Sequence, residues 1–338
     1  MLFKAAILEK LDSPLSIKVL ETTTLSLGQV LVRVLVSGLC GAQLQEISGH
    51  KGNAKFLPHL FGHEGCGVVE SIGEGVTNVK TGDKVVMHWR KGNGIESDFP
   101  KYLMDGKTIS GGKVTTISNY SVVSENRLTV ISSDISNDFA ALLGCSLTTA
   151  LGIITNEAKI LCGESVLILG SGGVGLNLIQ GARLANADRI VSADRVESKR
   201  DISLDMGASK FINLTTETLQ EKFDVIIDTT GSTELISSMF SLLSENGRFI
   251  LAAQPIPGKE LVIPNAQKLF TGRGHRIIAT QGGQSCPTTD IPLYIKLLEN
   301  GLLNIDKLIT HRFKLEQINS AISTLRSGTA GRIMIDMV

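Results

Sequence analysis

Along the first third of the chain, apolar and polar positions alternate over short stretches. Residues 4–9, 16–21, 29–36, 67–72 and 84–89 are rich in Val, Leu and Ile and are punctuated by Gly and Asp. This pattern predicts a succession of short strands. From about Ala140 the texture changes, and apolar runs of strand length alternate with stretches of helical period. A strand over 165–170 leads to a helix over 173–185, a strand over 189–193 to a helix over 197–206, and a strand over 224–228 to a helix over 233–244. A strand over 247–253 follows. Repeated β-α units of this kind build a doubly wound parallel sheet, so the fold class is α/β with a β-rich domain attached. After Gly282 and Gly283 the pattern predicts two amphipathic helices, 291–299 and 315–326, and a last strand over 331–337. No internal repeat or low-complexity linker interrupts the series.

Length and composition narrow the function classes. The chain has 338 residues, which at about 150 residues per domain suggests two domains, each able to bury a core. Lys plus Arg and Asp plus Glu number 33 each, so the formal net charge is zero. No global field attracts nucleic acid or an anionic membrane, and neither is expected as a partner. The N-terminal residues alternate like a strand and lack the apolar core of a secretory signal. The longest uncharged stretches, 140–156 and 165–182, carry Ser, Thr, Asn, Gln and Gly, which argues against a bilayer span. The expectation is a soluble, cytoplasmic protein. The five cysteines are Cys40, Cys66, Cys145, Cys162 and Cys286, an odd number without a C-x-x-C pair. A disulfide framework is therefore not expected, and each thiol is inert, reactive or a metal ligand.

Val166-Leu167-Ile168-Leu169 feeds directly into Gly170-Ser171-Gly172-Gly173-Val174-Gly175. This is G-x-G-x-x-G with a strand before it and a helix after it, the setting in which the pattern binds a dinucleotide. The first glycine permits the tight turn, the second admits a pyrophosphate to the backbone, and the third lets helix and strand pack closely. Asp194 ends the next strand, 19 residues after Gly175, where a carboxylate can hydrogen-bond the adenosine ribose hydroxyls and repel a 2′-phosphate. Arg195 beside it is the counter-signal, since an arginine there can accept that phosphate. The balance favours NAD over NADP.

Gly62-His63-Glu64-Gly65-Cys66-Gly67, then Thr81-Gly82-Asp83-Lys84-Val85, then the glycine-rich loop, stand in the order found in one known family. The chain resembles the zinc-containing medium-chain alcohol dehydrogenases nearly end to end, as far as Gly328-Thr329-Ala330-Gly331-Arg332. The resemblance implies a GroES-like catalytic domain from 1–147 and 282–338, with a Rossmann domain of 148–281 between. It implies Cys40, His63 and Cys145 as protein ligands of one catalytic zinc, with Glu64 beside the site or binding the metal transiently. Two thiolates, one imidazole and an open fourth position suit a catalytic zinc, and such a site serves hydride transfer between an alcohol and NAD. By the same resemblance Thr149 packs behind the nicotinamide and Val174 presses on its ring. Lys199 lies near the adenosine ribose, Arg332 pairs with the pyrophosphate, and Trp89 forms a wall of the substrate pocket. A homodimer joined at the Rossmann sheet edge, around 249–253 or 275–280, is also implied. No structural zinc is expected, because residues 91–112 contain no cysteine where many relatives carry four.

The sequence departs from the family after the first cysteine. Ala42 stands where a Ser or Thr relays the substrate proton, Gln43 where an Asp orients the zinc-binding imidazole, and Gln45 where a histidine completes the relay. Three readings stay open: the proton leaves through water or a group such as His50 or His59, turnover is slow, or zinc binding is weakened. The basic, polar segment 88–95 points to a polyhydroxylated or anionic small-molecule substrate. Two rival functions are a zinc-free NAD(P)H-dependent reductase and a dinucleotide-binding protein without turnover.

Overall fold

The computed structural model describes residues 1–337, the side chains of Asn53 and Ala54 excepted. The chain forms two compact units. One comprises Met1–Thr148, Cys286–Glu299 and the segment from Ile309 onward, and the other comprises Thr149–Ser285 and Asn300–Leu308. The inclusion of Asn300–Leu308 in the second unit differs from the expected division at 282. The Asn304 backbone N–H donates to Gln180 Oε1 at 2.8 Å, and Lys307 pairs with Asp205 at 2.8 Å.

The first unit is built on two largely antiparallel sheets. The strand Gln29–Leu39 lies between Glu64–Ile72 on one side and both Tyr120–Ser124 and Arg332–Asp336 on the other. Lys84–His88 and Leu128–Ile131 extend this sheet at one end, and Ile309–Lys314 extends it at the other in parallel register. The second sheet runs His59–Leu60, Leu2–Leu8, Ser16–Thr22, Lys101–Met104, Lys107–Ser110. Val30, Val32 and Val34, alternate residues on one face of their strand, pack with Val85, Met87, Ile333 and Ile335 in one core. The period of two thus becomes burial, each fully covered Val or Ile contributing about 1.5–3 kcal/mol. The strands within 101–131 escape the hydrophobic pattern because they are only four or five residues long and mix Lys, Thr and Ser with their apolar positions.

The second unit holds a six-stranded, all-parallel sheet in the order Lys210–Asn213, Arg189–Asp194, Ser165–Leu169, Phe223–Asp228, Leu243–Leu251, Arg276–Ala279. In chain order this is 3-2-1-4-5-6, the doubly wound arrangement that places a crevice beside the C-terminal end of the first strand. Ser165–Leu169 is covered on both faces, which explains its uninterrupted apolar run. Two predicted helices are shorter than expected. Residues 197–206 form a 3₁₀ turn, Glu197–Lys199, before the helix Arg200–Asp205. The helix from Thr233 ends at Met239, and Leu243, buried in the core of this unit, already opens the next strand. Among the described residues no helix is long and apolar enough to cross a membrane.

Candidate active site

Cys40 follows the last residue of Gln29–Leu39 and caps the helix Gly41–Ile47. His63 lies between His59–Leu60 and Glu64–Ile72, and Cys145 lies between the helices Asn137–Leu142 and Ser146–Gly152. Close backbone packing brings the three together. A Cβ on Gly38 would overlap the Glu64 carboxylate, and one on Gly144 would overlap the Met87 carbonyl oxygen and crowd Glu64 Cα, so only glycine fits at either point.

One ligand atom from each of Cys40, His63 and Cys145 lies within 4.8 Å of the others, with Cys145 buried and the other two half-buried. Tetrahedral ligands at 2.0–2.3 Å from a zinc sit roughly 3.5–4 Å apart. The cluster is therefore of the right size, and its two sulfurs and one imidazole are the right donors. The Cys40 thiol is held well below the ordinary thiol range, first by a hydrogen bond from Cys145, then by His63 and the Arg332 charge, against the opposing effect of burial. A thiolate is the form that binds a metal.

Glu64 is fully buried. Its Oε2 accepts the Ser146 N–H at 3.0 Å, and its Oε1 pairs with the Arg332 guanidinium. Arg332 is itself 3% exposed and hydrogen-bonds Cys40. Two neighbouring groups, the Glu64 carboxylate and the Cys40 sulfur, thus hold Arg332 beside the cluster of Cys40, His63 and Cys145. Gln43 is 1% exposed. Its Oε1 accepts the Cys40 N–H at 2.8 Å, and its Nε2 lies 2.6 Å from His63 Nδ1.

Trp89 is half-buried beside the Cys145 loop, its N–H donating to the Gly144 carbonyl at 3.4 Å and its carbonyl accepting from Arg127. The Arg90 guanidinium stands over its ring at 5.5 Å. His88 is 1% exposed, with Nδ1 2.6 Å from the Arg90 carbonyl and Nε2 3.0 Å from Thr129 Oγ1. Burial pushes its pKa down to about 4, so it serves as a neutral brace at the end of its strand. Cys66 is buried, and desolvation raises its pKa to about 12. Cys162 and Cys286 are exposed free thiols.

In the second unit, the glycine loop has the anatomy its sequence predicts. A Cβ on Gly175 would overlap the Gly170 carbonyl oxygen, whereas one on Gly172 would meet nothing within 4 Å, which leaves the backbone there open to a ligand. Gly173 and Val174 begin the helix Gly173–Leu184, whose N-terminal N–H groups suit a phosphate. Asp194 accepts the Ser171 N–H at 2.7 Å and the Val196 N–H at 3.0 Å, tying the end of its strand to the glycine loop. Lys199 is buried, and desolvation lowers its pKa to about 8 against the pull of Asp194. Arg195 is exposed. Thr149 lies in the helix Ser146–Gly152 as the first residue of the second unit.

Sequence reasoning missed the Glu64–Arg332 pair and the double engagement of Gln43. A lone arginine 268 residues downstream of a glutamate carries no signal of contact. Gln three residues after a helix cap does, because a side chain at that position reaches back to the cap N–H.

Residues 26–133 match the alcohol dehydrogenase GroES-like domain and residues 173–300 match the zinc-binding dehydrogenase domain. The chain is 30% identical to an S-(hydroxymethyl)glutathione dehydrogenase of Komagataella pastoris, over 99% of this chain and 97% of that one. Among solved structures it shares its fold with an alcohol dehydrogenase zinc-binding domain protein from Burkholderia ambifaria, with a TM-score of 0.92, 24% identity and coverage of 100% and 99%. It also shares it with benzyl alcohol dehydrogenase from Acinetobacter calcoaceticus, with a TM-score of 0.89, 23% identity and full coverage of both chains.

Proposed function

Since the chain belongs to the zinc-type medium-chain alcohol dehydrogenases, we propose that it interconverts an alcohol and an aldehyde or ketone, with one zinc per subunit and NAD as hydride carrier. The observation that carries this reading is the Cys40, His63 and Cys145 cluster, which has the donor set and dimensions of a three-ligand zinc site. When bound, the metal supplies Lewis acidity toward the substrate oxygen, and the nicotinamide supplies the hydride acceptor.

The residues of the chain then do the following. Cys40 and Cys145 bind as thiolates and His63 as a neutral imidazole. Arg332 balances the negative charge of the thiolates and of Glu64, and Glu64 fixes the Cys145 loop through the Ser146 N–H. Gly170, Gly172, Gly173 and Gly175 shape the pyrophosphate cradle, and Asp194 with Lys199 meets the adenosine ribose. The Asp194 carboxylate disfavours a 2′-phosphate, which supports NAD over NADP, with the exposed Arg195 as the counter-signal. Thr149 and Val174 confine the nicotinamide ring, and Trp89 lines the substrate pocket with the basic residues Arg90 and Lys91 nearby. These charges favour a polyhydroxylated or anionic alcohol. Ala42 and Gln45 carry no group able to take a proton, so release of the substrate proton falls to water or to a histidine such as His59, whose Nε2 is 3.6 Å from Glu46.

A homodimer accords with the second unit's sheet. Leu243–Leu251 is paired on both sides, so residues 249–251 offer no free edge, contrary to one of the two expected locations. Arg276–Ala279 is the edge strand, and Ile277 and Phe270 are 36% and 79% exposed. The exposed thiols of Cys162 and Cys286 suit a reducing cytoplasm.

The test is NADH formation with a panel of polyols, sugar alcohols and alkanols. The reading predicts activity with members of this panel, lost in Cys145→Ser while NADH binding persists. Full activity in Cys145→Ser would contradict it.

A further inference from the structure

We propose that Gln43 is a positioning residue that fixes which nitrogen of His63 carries the ring proton, and that it thereby sets how tightly the three-ligand centre takes up zinc. The inference rests on the reading of Cys40, His63 and Cys145 as the zinc ligands.

The side chain of Gln43 is buried between two partners of unequal character. At one end the Cys40 backbone N–H can only donate, and it lies 2.8 Å from Oε1. A carboxamide has one accepting end and one donating end. The Cys40 N–H therefore selects the oxygen, and the amide nitrogen is left facing His63 Nδ1 at 2.6 Å. Nδ1 has to accept. A neutral imidazole that accepts at Nδ1 carries its proton at Nε2. With Nδ1 engaged by Gln43, Nε2 is the ring nitrogen left for the cluster with the two sulfurs.

Metal binding needs a lone pair on that nitrogen. The ring proton then moves to Nδ1, where it confronts the Gln43 amide N–H, donor against donor. The alternative is to invert the amide, which sets its NH₂ group against the Cys40 N–H. In either case one of the two hydrogen bonds of the buried Gln43 side chain is lost when the metal enters. A carboxylate of the same length has no such conflict, because one oxygen accepts the Cys40 N–H and the other accepts Nδ1–H. Partners of metal-bound histidines change metal affinity by about 10–100-fold. Gln43 thus holds the zinc-free centre in a proton arrangement that opposes loading, and the chain binds zinc more weakly than its ligand set allows.

The experiment uses full-length protein stripped of metal, as wild type, Gln43→Glu and Cys145→Ser. Zinc affinity is read by competition with a chromophoric chelator. The ring tautomer is read from nitrogen–proton correlation spectra of histidine-labelled protein, with His63 assigned by its loss in His63→Gln. The expected result is a zinc-free wild type protonated at Nε2 and a Gln43→Glu variant protonated at Nδ1 that binds zinc at least about tenfold more tightly. A zinc-free wild type protonated at Nδ1 would overturn the inference, and so would a folded Gln43→Glu variant of equal or lower affinity. The wild-type spectrum decides even if the variant fails to fold. Failure of the ligand assignment shows itself separately, as equal zinc uptake by wild type and Cys145→Ser.

Discussion

Glu125 is 1% exposed, and it gathers three backbone donors from two separate loops. Its Oε2 accepts the N–H groups of Thr77 at 2.9 Å and Asn78 at 3.0 Å, and its Oε1 accepts the Ile95 N–H at 2.8 Å. Between those loops runs the strand Lys84–His88 that delivers Trp89 to the Cys145 loop. A hydrogen bond to a charged group contributes about 1.5–3 kcal/mol when fully buried. Thr77 and Asn78 are exposed, so water replaces part of what is lost, and about 1 kcal/mol per bond is the appropriate scale. Glu125→Ala should therefore destabilise the first unit by about 3 kcal/mol. Glu125→Gln, which keeps one accepting oxygen but turns an amide toward the remaining N–H, should lose about half of that. The backbone bonds hold the Glu125 carboxyl below the ordinary range although burial opposes them. A carboxyl whose pKa is lower folded than unfolded stabilises above the unfolded value, and that contribution fades as pH falls toward the folded one. The gap between wild type and Glu125→Gln should therefore be full at pH 7 and shrink below about pH 4.5. Trp89 is the only tryptophan and lies in the first unit, so urea unfolding followed by its fluorescence reports this unit directly. Equal midpoints for wild type and Glu125→Gln at pH 7, or a gap that stays constant down to pH 3, would refute the reasoning.

Gly175→Ala should abolish NADH binding and lower the melting temperature, since its Cβ overlaps the Gly170 carbonyl oxygen. Calorimetric titration with NADH checks the first effect and a thermal scan the second. With its pKa raised to about 12, Cys66 should resist alkylation by iodoacetamide at pH 8 while the exposed Cys162 and Cys286 react, which peptide mass spectrometry can read. Arg248→Ala should cost about 3–5 kcal/mol by urea unfolding, because the guanidinium is 8% exposed and holds both the Glu164 carboxylate and the Ala158 carbonyl.

The parallel sheet was the most legible part of the sequence, because Val166-Leu167-Ile168-Leu169 runs straight into a glycine loop whose geometry leaves little choice of residue. The three residues of the candidate metal centre were legible through the motif around His63 and the family resemblance, but their convergence depends on Gly38 and Gly144, whose role only the packed backbone reveals. Lys101–Met104 and Lys107–Ser110 were hidden because a short strand at a sheet end is specified by its neighbours more than by its own pattern. The neighbours of Arg332 were hidden for a different reason: the buried Glu64 carboxylate and the Cys40 sulfur that hold it come from distant segments, and no local pattern links them.

The central claim is that Cys40, His63 and Cys145 hold a zinc that the reaction requires. The most direct measurement is zinc per chain by elemental analysis, on protein purified without a metal-affinity step and again after reconstitution, for wild type and Cys145→Ser. The account predicts about one zinc per wild-type subunit, and none in the variant. Wild-type protein that binds NADH but takes up no zinc after reconstitution, or a variant that retains the metal in full, would contradict it.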